Sequence, residues 1–171
     1  MAQRLASSCR HVARLRLRVS AAAALAFAAC VVVHVSDGDT LTVRCGNDTA
    51  AQRHVIRLAE VDAPEDGQPF GAVSRRALVA ACLRQPATVA IRNRDVYGRT
   101  VAKVSCAGVD AGSAQVAAGL AWVFDRYARD PELYRLQDKA RGTKAGLWAD
   151  PASVAPWEWR KSKPKPARND V

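Results

Sequence analysis

From Val31 onward the chain opens with two runs in which apolar and polar residues alternate, "VVVHVS" and "DTLTVRC", meeting at Asp37-Gly38. Branched residues at period two around an Asp-Gly step predict a β-hairpin. The turn "GNDTAAQ" leads to a third strand, "RHVIRLAEV", completing a meander. After Pro64 the period lengthens. In "FGAVSRRALVAACLRQ" the residues Val73, Ala77 and Ala81, with Leu78 and Cys82, share one stripe of a helix. Two more strands follow, "ATVAIRN" and "RTVAKVSC", joined by "RDVYG"; Ala102, Val104 and Cys106 alternate with Lys103 and Ser105, one face for the core and one for water. "SAQVAAGLAWVF" predicts a second helix through Val116, Leu120 and Phe124, with Trp122 and Phe124 as core residues. A third helix starts at Asp130, a good N-cap, with Pro131 first and Glu132 at the positive end of the dipole, and runs to near Gly146. Five strands with a helix between the third and fourth give an α+β fold, a five-stranded OB-type β-barrel with three helices.

Composition changes the picture at the two ends. The 171 residues hold one domain plus extensions, and carry a formal charge of +10, which favours polyanions such as nucleic acid or anionic lipid. Arg4, Arg10, Arg14, Arg16 and Arg18 precede the apolar run "VSAAAALAFAACVVV", with no acid among the first thirty residues. This reads as a Sec-type export signal over residues 1–30, because no Arg-Arg pair precedes the apolar run. An uncleaved anchor, or lipidation at Cys30 in "FAAC", is the alternative. The expected location is therefore outside the cytoplasm: secreted, periplasmic or membrane-anchored. The domain is assigned to residues 31–149. Residues 150–171, ending in "RKSKPKPARNDV", are assigned as a basic, disordered tail.

With Cys9 and Cys30 placed in the leader, Cys45, Cys82 and Cys106 remain, enough for one disulfide and one thiol. Cys82 ends the first helix on its core stripe and Cys106 ends a strand on its core face. The two are expected to pair, the alternative being two buried thiols. No Cys-x-x-Cys occurs, and His11, His34 and His54 are scattered, which argues against zinc.

The acids carry the chemistry. Asp39 begins one strand and Asp62 ends its neighbour, so the meander brings two carboxylates together, and these are costly inside a barrel unless paired or bound to a cation. Oxygen ligands alone suit a hard ion, Ca²⁺ or Mg²⁺, with the Ala63 carbonyl, Glu65 and water completing the shell. The competing reading is an ion pair of Asp39 or Asp62 with Arg57. Arg57, on the strand that leads to Asp62, and Arg99, after the "DVYG" turn, offer two guanidiniums for a phosphodiester. Glu65 is placed to orient or deprotonate a water.

Together "DGDTLTV", "RLAEVDAPE" and "DVYGRTVAKV" resemble, in order and spacing, the three signatures of the staphylococcal nuclease (thermonuclease) family, over about Val31 to Trp148. "GLAWVFDRYA" and "GLWADP" resemble its short bacterial members. The resemblance implies a calcium-dependent endonuclease that hydrolyses DNA and RNA at the 5′-oxygen–phosphorus bond and leaves 3′-phosphates. It implies Asp39, Asp62 and the Ala63 carbonyl as Ca²⁺ ligands, ahead of Mg²⁺, with Glu65 nearby and Asp37 as an outer acid. Glu65 corresponds to the general base, and Arg57 and Arg99 to the residues that bind the scissile phosphate. Tyr97 matches a tyrosine that contacts the nucleotide, and Tyr127 is the candidate for a second. Partners are then single-stranded or denatured DNA and RNA, with no small-molecule cofactor and a monomeric chain. Two departures stand out: the insert before Arg57 is longer and carries Cys45, and Val96 replaces a usual Lys or Arg. A binding module without activity, or an envelope protein held to anionic lipid, would not need the intact acidic cluster.

Overall fold

The computed structural model describes residues 26–46 and 52–163, so the export-signal reading of residues 1–25 and the end of the tail lie outside the described residues. In chain order the elements are β1 (Ala26–Val35), β2 (Thr40–Cys45), β3 (Gln52–Leu58), β4 (Val61–Asp62), α1 (Gly71–Cys82), β5 (Pro86–Arg94), β6 (Thr100–Cys106), β7 (Val109–Asp110), α2 (Ala111–Ala117), β8 (Trp122–Val123), α3 (Pro131–Gly142) and α4 (Pro156–Ser162). A 3₁₀ turn over Gly146–Ala149 precedes α4. The main sheet runs β3-β2-β1-β5-β6, all antiparallel, and a parallel pairing of β3 with β6 closes it into the expected five-stranded barrel.

Strand periodicity explains the core. Leu41, Val43 and Cys45 on β2, Ile56 and Leu58 on β3, and Ala102, Val104 and Cys106 on β6 all point inward and are buried, while Arg44 and Lys103 point out. Below the barrel α1 packs against β1 and α2, and α3 packs against α2.

Five expectations are corrected. First, β1 begins at Ala26, so residues 26–30, assigned to the leader, are barrel strand. Second, Cys30 faces Cys45 across β1 and β2 and is bonded to it, so Cys45 is not a leftover thiol; the expected bond between Cys82 and Cys106 is present, with Cα atoms 5.2 Å apart. Third, the buried stripe of α1 is Gly71, Ser74, Leu78 and Cys82, and Val73 faces solvent.

Fourth, α2 stops at Ala117. Gly119 takes a left-handed φ of 65°, and a Cβ there would lie 2.2 Å from the Ala145 carbonyl oxygen. Trp122 and Val123 then leave as a strand, β8, that pairs with β4 instead of continuing a helix. Fifth, residues 150–163, assigned to a disordered tail, are structured and include a fourth helix, α4. Pro156 starts that helix, and Trp157 stacks on Phe124 with ring centroids 5.3 Å apart.

Candidate active site

The connection between β1 and β2 brings the first acids to the barrel rim. The Ser36 amide donates to the Thr40 carbonyl at 2.9 Å, and the Asp37 carboxylate caps the Asp39 amide at 3.0 Å. Between the two acids only glycine fits. A Cβ on Gly38 would fall 1.9 Å from Ser74 Oγ, and the Gly38 carbonyl accepts from Gln115 Nε2 at 2.6 Å. Gln115 and Ser74, both buried on neighbouring helices, also bond each other, and Ser74 Oγ donates to the Leu120 carbonyl at 2.7 Å. The DGD stretch is thus keyed into a buried polar network. Gly38→Ala is expected to cost ~1–3 kcal/mol in thermal or urea unfolding, as overpacking does. An unchanged midpoint would show that the network gives way without cost.

Asp39 is 5% exposed and fully engaged. Its Oδ2 accepts from the Ala63 amide at 2.5 Å and pairs with Arg57 Nη1 at 2.8 Å, and its Oδ1 accepts from Thr40 Oγ at 3.1 Å. Burial pushes the Asp39 carboxyl up to about 7; Arg57 and the Ala63 amide pull it down, and the neighbouring acids Asp37 and Asp62 push it further up. Asp62, 1% exposed, sits at the end of β4. Its Oδ1 accepts from Arg57 Nη2 at 2.6 Å. Arg57 therefore bridges both carboxylates, with one nitrogen on each, and its Nη1 also donates to the Val61 carbonyl at 3.0 Å. The ion-pair reading and the acidic-pair reading are both realised: the acids converge, and an arginine lies between them.

A residue that sequence reasoning missed completes the cluster. Arg160, on α4, pairs through Nη2 with Asp62 Oδ2 at 2.7 Å and through Nη1 with Glu65 Oε1. Hydrogen bonding to Asp62 is the main reason its own pKa is raised, with Glu65 adding to the effect. Asp39, Arg57, Asp62, Arg160 and Glu65 thus form a chain of alternating charge. The available signal was the pair Trp157 and Trp159 flanking Glu158, since aromatic residues are scarce in disordered tails.

The remaining candidates stand apart. Arg99 is bound to Asp95 in the β5–β6 turn, its Nε at 2.7 Å from Oδ2 and its amide at 2.9 Å from Oδ1. Burial raises the Asp95 carboxyl, but the hydrogen bonds from Arg99 and Tyr97 outweigh it and hold the group below its usual value. Val101 is the β6 partner of Arg57, and Arg99 lies two residues before it, so the two arginines share one outer face of the barrel. Tyr97 is 82% exposed on the same turn. Tyr127 is half exposed, edge-on to Phe124 with centroids 5.0 Å apart, outside the carboxylate cluster.

With this geometry in hand, similarity to known proteins becomes informative. The family model described as "Staphylococcal nuclease homologue" matches residues 55–150, more than half of the chain. The chain belongs to the staphylococcal nuclease family. Among relatives, Protein ParB of Escherichia coli is 35% identical over 172 residues, covering 94% of this chain and 95% of its own. An uncharacterized endonuclease of Escherichia coli O157:H7 is 41% identical over 133 residues, covering 77% of this chain and 84% of its own. Micrococcal nuclease of Shigella flexneri is 34% identical over 142 residues, with 77% and 79% covered. The staphylococcal nuclease match takes in Arg57, Asp62, Ala63, Glu65, Tyr97, Arg99 and Tyr127. Asp37 and Asp39 precede it and Arg160 follows it.

The family resemblance implies a hard cation, and the donor set at the rim is made of oxygens. Among the described residues no three His, Cys, Asp or Glu side chains converge as ligands. A cation at Asp39 and Asp62 would therefore draw the rest of its shell from backbone and water oxygens, as hard cations accept. The charge balance leans the same way: three acids (Asp39, Asp62 and Glu65) share two guanidiniums (Arg57 and Arg160), a formal excess of one negative charge, with Asp37 capping the Asp39 amide beside them. The residues present suit a divalent, oxygen-seeking ion.

Proposed function

We propose that this member of the staphylococcal nuclease family is a calcium-dependent endonuclease that hydrolyses DNA and RNA at the 5′-oxygen–phosphorus bond, leaving 3′-phosphate ends. Nuclease activity in general is supported by the family and by the relatives described as an endonuclease and as micrococcal nuclease. The observation that carries the finer reading is the pair of buried carboxylates, Asp39 and Asp62, held on one guanidinium at the barrel rim. Asp39, Asp62 and the Ala63 carbonyl would hold the cation, which would supply Lewis acidity and offset the negative charge that gathers on the phosphoryl oxygens.

The chain's own residues do the rest. Arg57 turns its fork from the carboxylates to the non-bridging phosphate oxygens, and Arg99 reaches the same phosphate once it leaves Asp95. Glu65, about a third exposed at its side chain and adjacent to Asp62, receives a proton from the attacking water. Tyr97 and Tyr127 present exposed rings for stacking nucleotides, which suits single-stranded or denatured substrates. The protein works as a monomer, and two disulfides support an exported location.

A zymogram of denatured DNA with Ca²⁺, with Mg²⁺ and with chelator tests the reading; a clear band in chelator, or none with Ca²⁺, would remove it. Glu65→Gln is expected to lower turnover by ~10²-fold or more, the usual loss with a general base. Affinity for single-stranded DNA should hold or rise, because an acid beside the phosphate is gone. Equal losses in turnover and affinity would make Glu65 a binding residue instead.

A further inference from the structure

We propose that Arg160 is a third phosphate-binding arginine, delivered by the C-terminal helix α4, so that the catalytic site is completed by residues beyond the family-matched segment. The proposal rests on the nuclease reading and names a residue that the family match, ending at residue 150, does not contain.

Three observations carry it. The first is the geometry of the guanidinium. Arg160 places one nitrogen on each oxygen of Asp62, at 3.2 and 2.7 Å, and shares the first with Glu65. This is a forked contact to a pair of oxyanion atoms, the arrangement in which a guanidinium also grips a phosphate. The side chain remains 42% exposed, so a substrate arriving from solvent meets it directly.

The second is how α4 is held. Trp157 lies flat on Phe124 and edge-on to Trp122, with centroids 5.3 and 5.8 Å away, and the Gln68 amide donates to the Val154 carbonyl at 2.7 Å. These anchors do not involve Arg160. Its guanidinium can exchange a carboxylate for a phosphate without undocking the helix.

The third is the state of the other arginines. Arg99 is paired with Asp95, away from the carboxylate cluster, and Val96, on the surface, brings no charge to a phosphate. Among the described residues, Arg57 and Arg160 are the two guanidiniums that touch the carboxylate cluster. Cleavage of a phosphodiester needs positive charge that follows the developing trigonal-bipyramidal phosphate, and Arg160 brings such a charge beside Asp62 and Glu65.

The test uses the full chain with Arg160→Gln and Arg160→Lys, a single-stranded oligodeoxynucleotide substrate, calcium titration by calorimetry, and thermal unfolding. Arg160→Gln is expected to lower kcat/KM by ~10²-fold, while Arg160→Lys restores affinity to within a few-fold but not turnover, because the charge returns without the fork. Calcium should bind Arg160→Gln as well as or several-fold more tightly than wild type, since Asp62 and Glu65 lose a competing cation. A merely structural arginine would instead weaken calcium binding and lower kcat/KM only in step with the folded fraction. That pattern would overturn the proposal. So would unchanged kcat/KM, full rescue by lysine, or a rise in turnover that marks Arg160 as a plug. If Arg160→Gln does not fold, undiminished kcat in Arg160→Lys overturns it equally. Silence of the wild-type protein would sink the nuclease reading itself, a result distinct from any of these.

Discussion

Replacing Asp39 with asparagine is expected to abolish calcium-dependent cleavage while leaving the protein at least as stable as wild type in chelator. The two effects have one origin. Asp39 is buried, and burial holds its carboxyl near pH 7 in the fold instead of 3.8. A group whose folded pKa is raised contributes stability below its unfolded pKa and loses it as pH rises through the folded value. Without a cation, wild type should therefore lose up to a few kcal/mol between about pH 4 and pH 7 from this group, and the asparagine variant should lack that slope. Asparagine keeps one oxygen, which at the Oδ2 position accepts from the Ala63 amide. Its Nδ2 at the other position can donate to Thr40 Oγ, a hydroxyl that accepts as readily as it donates, so the local hydrogen bonds survive. The charge that attracts the cation does not. Turnover should fall by ~10³-fold or more, the several kcal/mol that a Lewis-acidic ion supplies. Calcium should raise the unfolding temperature of wild type and not of the variant. Undiminished cleavage by Asp39→Asn would remove the cation site, and a collapse in chelator would show that the Arg57 ion pair outweighs the burial term.

Much of this arrangement was legible because it depends on short-range signals. The hairpin at Asp37-Gly38, the alternation in β6 and the cap at Asp130 are local rules, and each is realised: the Asp130 side chain accepts from the Glu132 amide at 3.0 Å. Convergence of Asp39 and Asp62 followed from the meander alone. The tight approach of Gly38 to Ser74 was not legible, since it joins residues 36 positions apart and gives a serine the place that an apolar stripe assigned to Val73.

The misses share a cause: tertiary contacts overrode local period. "SAQVAAGLAWVF" has helical spacing, yet Gly119 must turn so that its backbone can meet Ala145, and β8 forms because β4 needs an antiparallel partner. Cys30 looked like part of a leader because it sits in an apolar run, but an inner barrel strand is equally apolar. Arg160 was invisible for a different reason. Ninety-eight residues separate it from Asp62, and only the aromatic docking of Trp157 shows why "PWEWRK" is not part of the basic tail. Arg99 shows the reverse: its position on the outer face was readable, whereas its attachment to Asp95 depends on the conformation of the turn.

Removing the central guanidinium should have the opposite effect on stability. Arg57→Gln leaves Asp39, 5% exposed, without its cationic partner, while Asp62, 1% exposed, keeps Arg160. Breaking a buried pair from one side costs ~3–5 kcal/mol, because the remaining charge is left without compensation. At this chain length that corresponds to a drop of roughly 10 °C or more in unfolding temperature in chelator. Glutamine can still donate toward the Val61 carbonyl that Arg57 Nη1 reaches at 3.0 Å, so the loss is mainly one of charge. Calcium should then recover most of the lost stability, since a divalent ion replaces the missing positive charge between the same two carboxylates. Cleavage should not recover. The phosphate has lost its fork, and turnover should stay down by ~10³-fold even at saturating calcium. Stability restored by calcium without activity separates the two tasks of Arg57, holding the acids together and gripping the phosphate. If calcium restores neither, the acids do not form a cation site; if cleavage persists at saturating calcium, the phosphate is held by Arg99 and Arg160 alone.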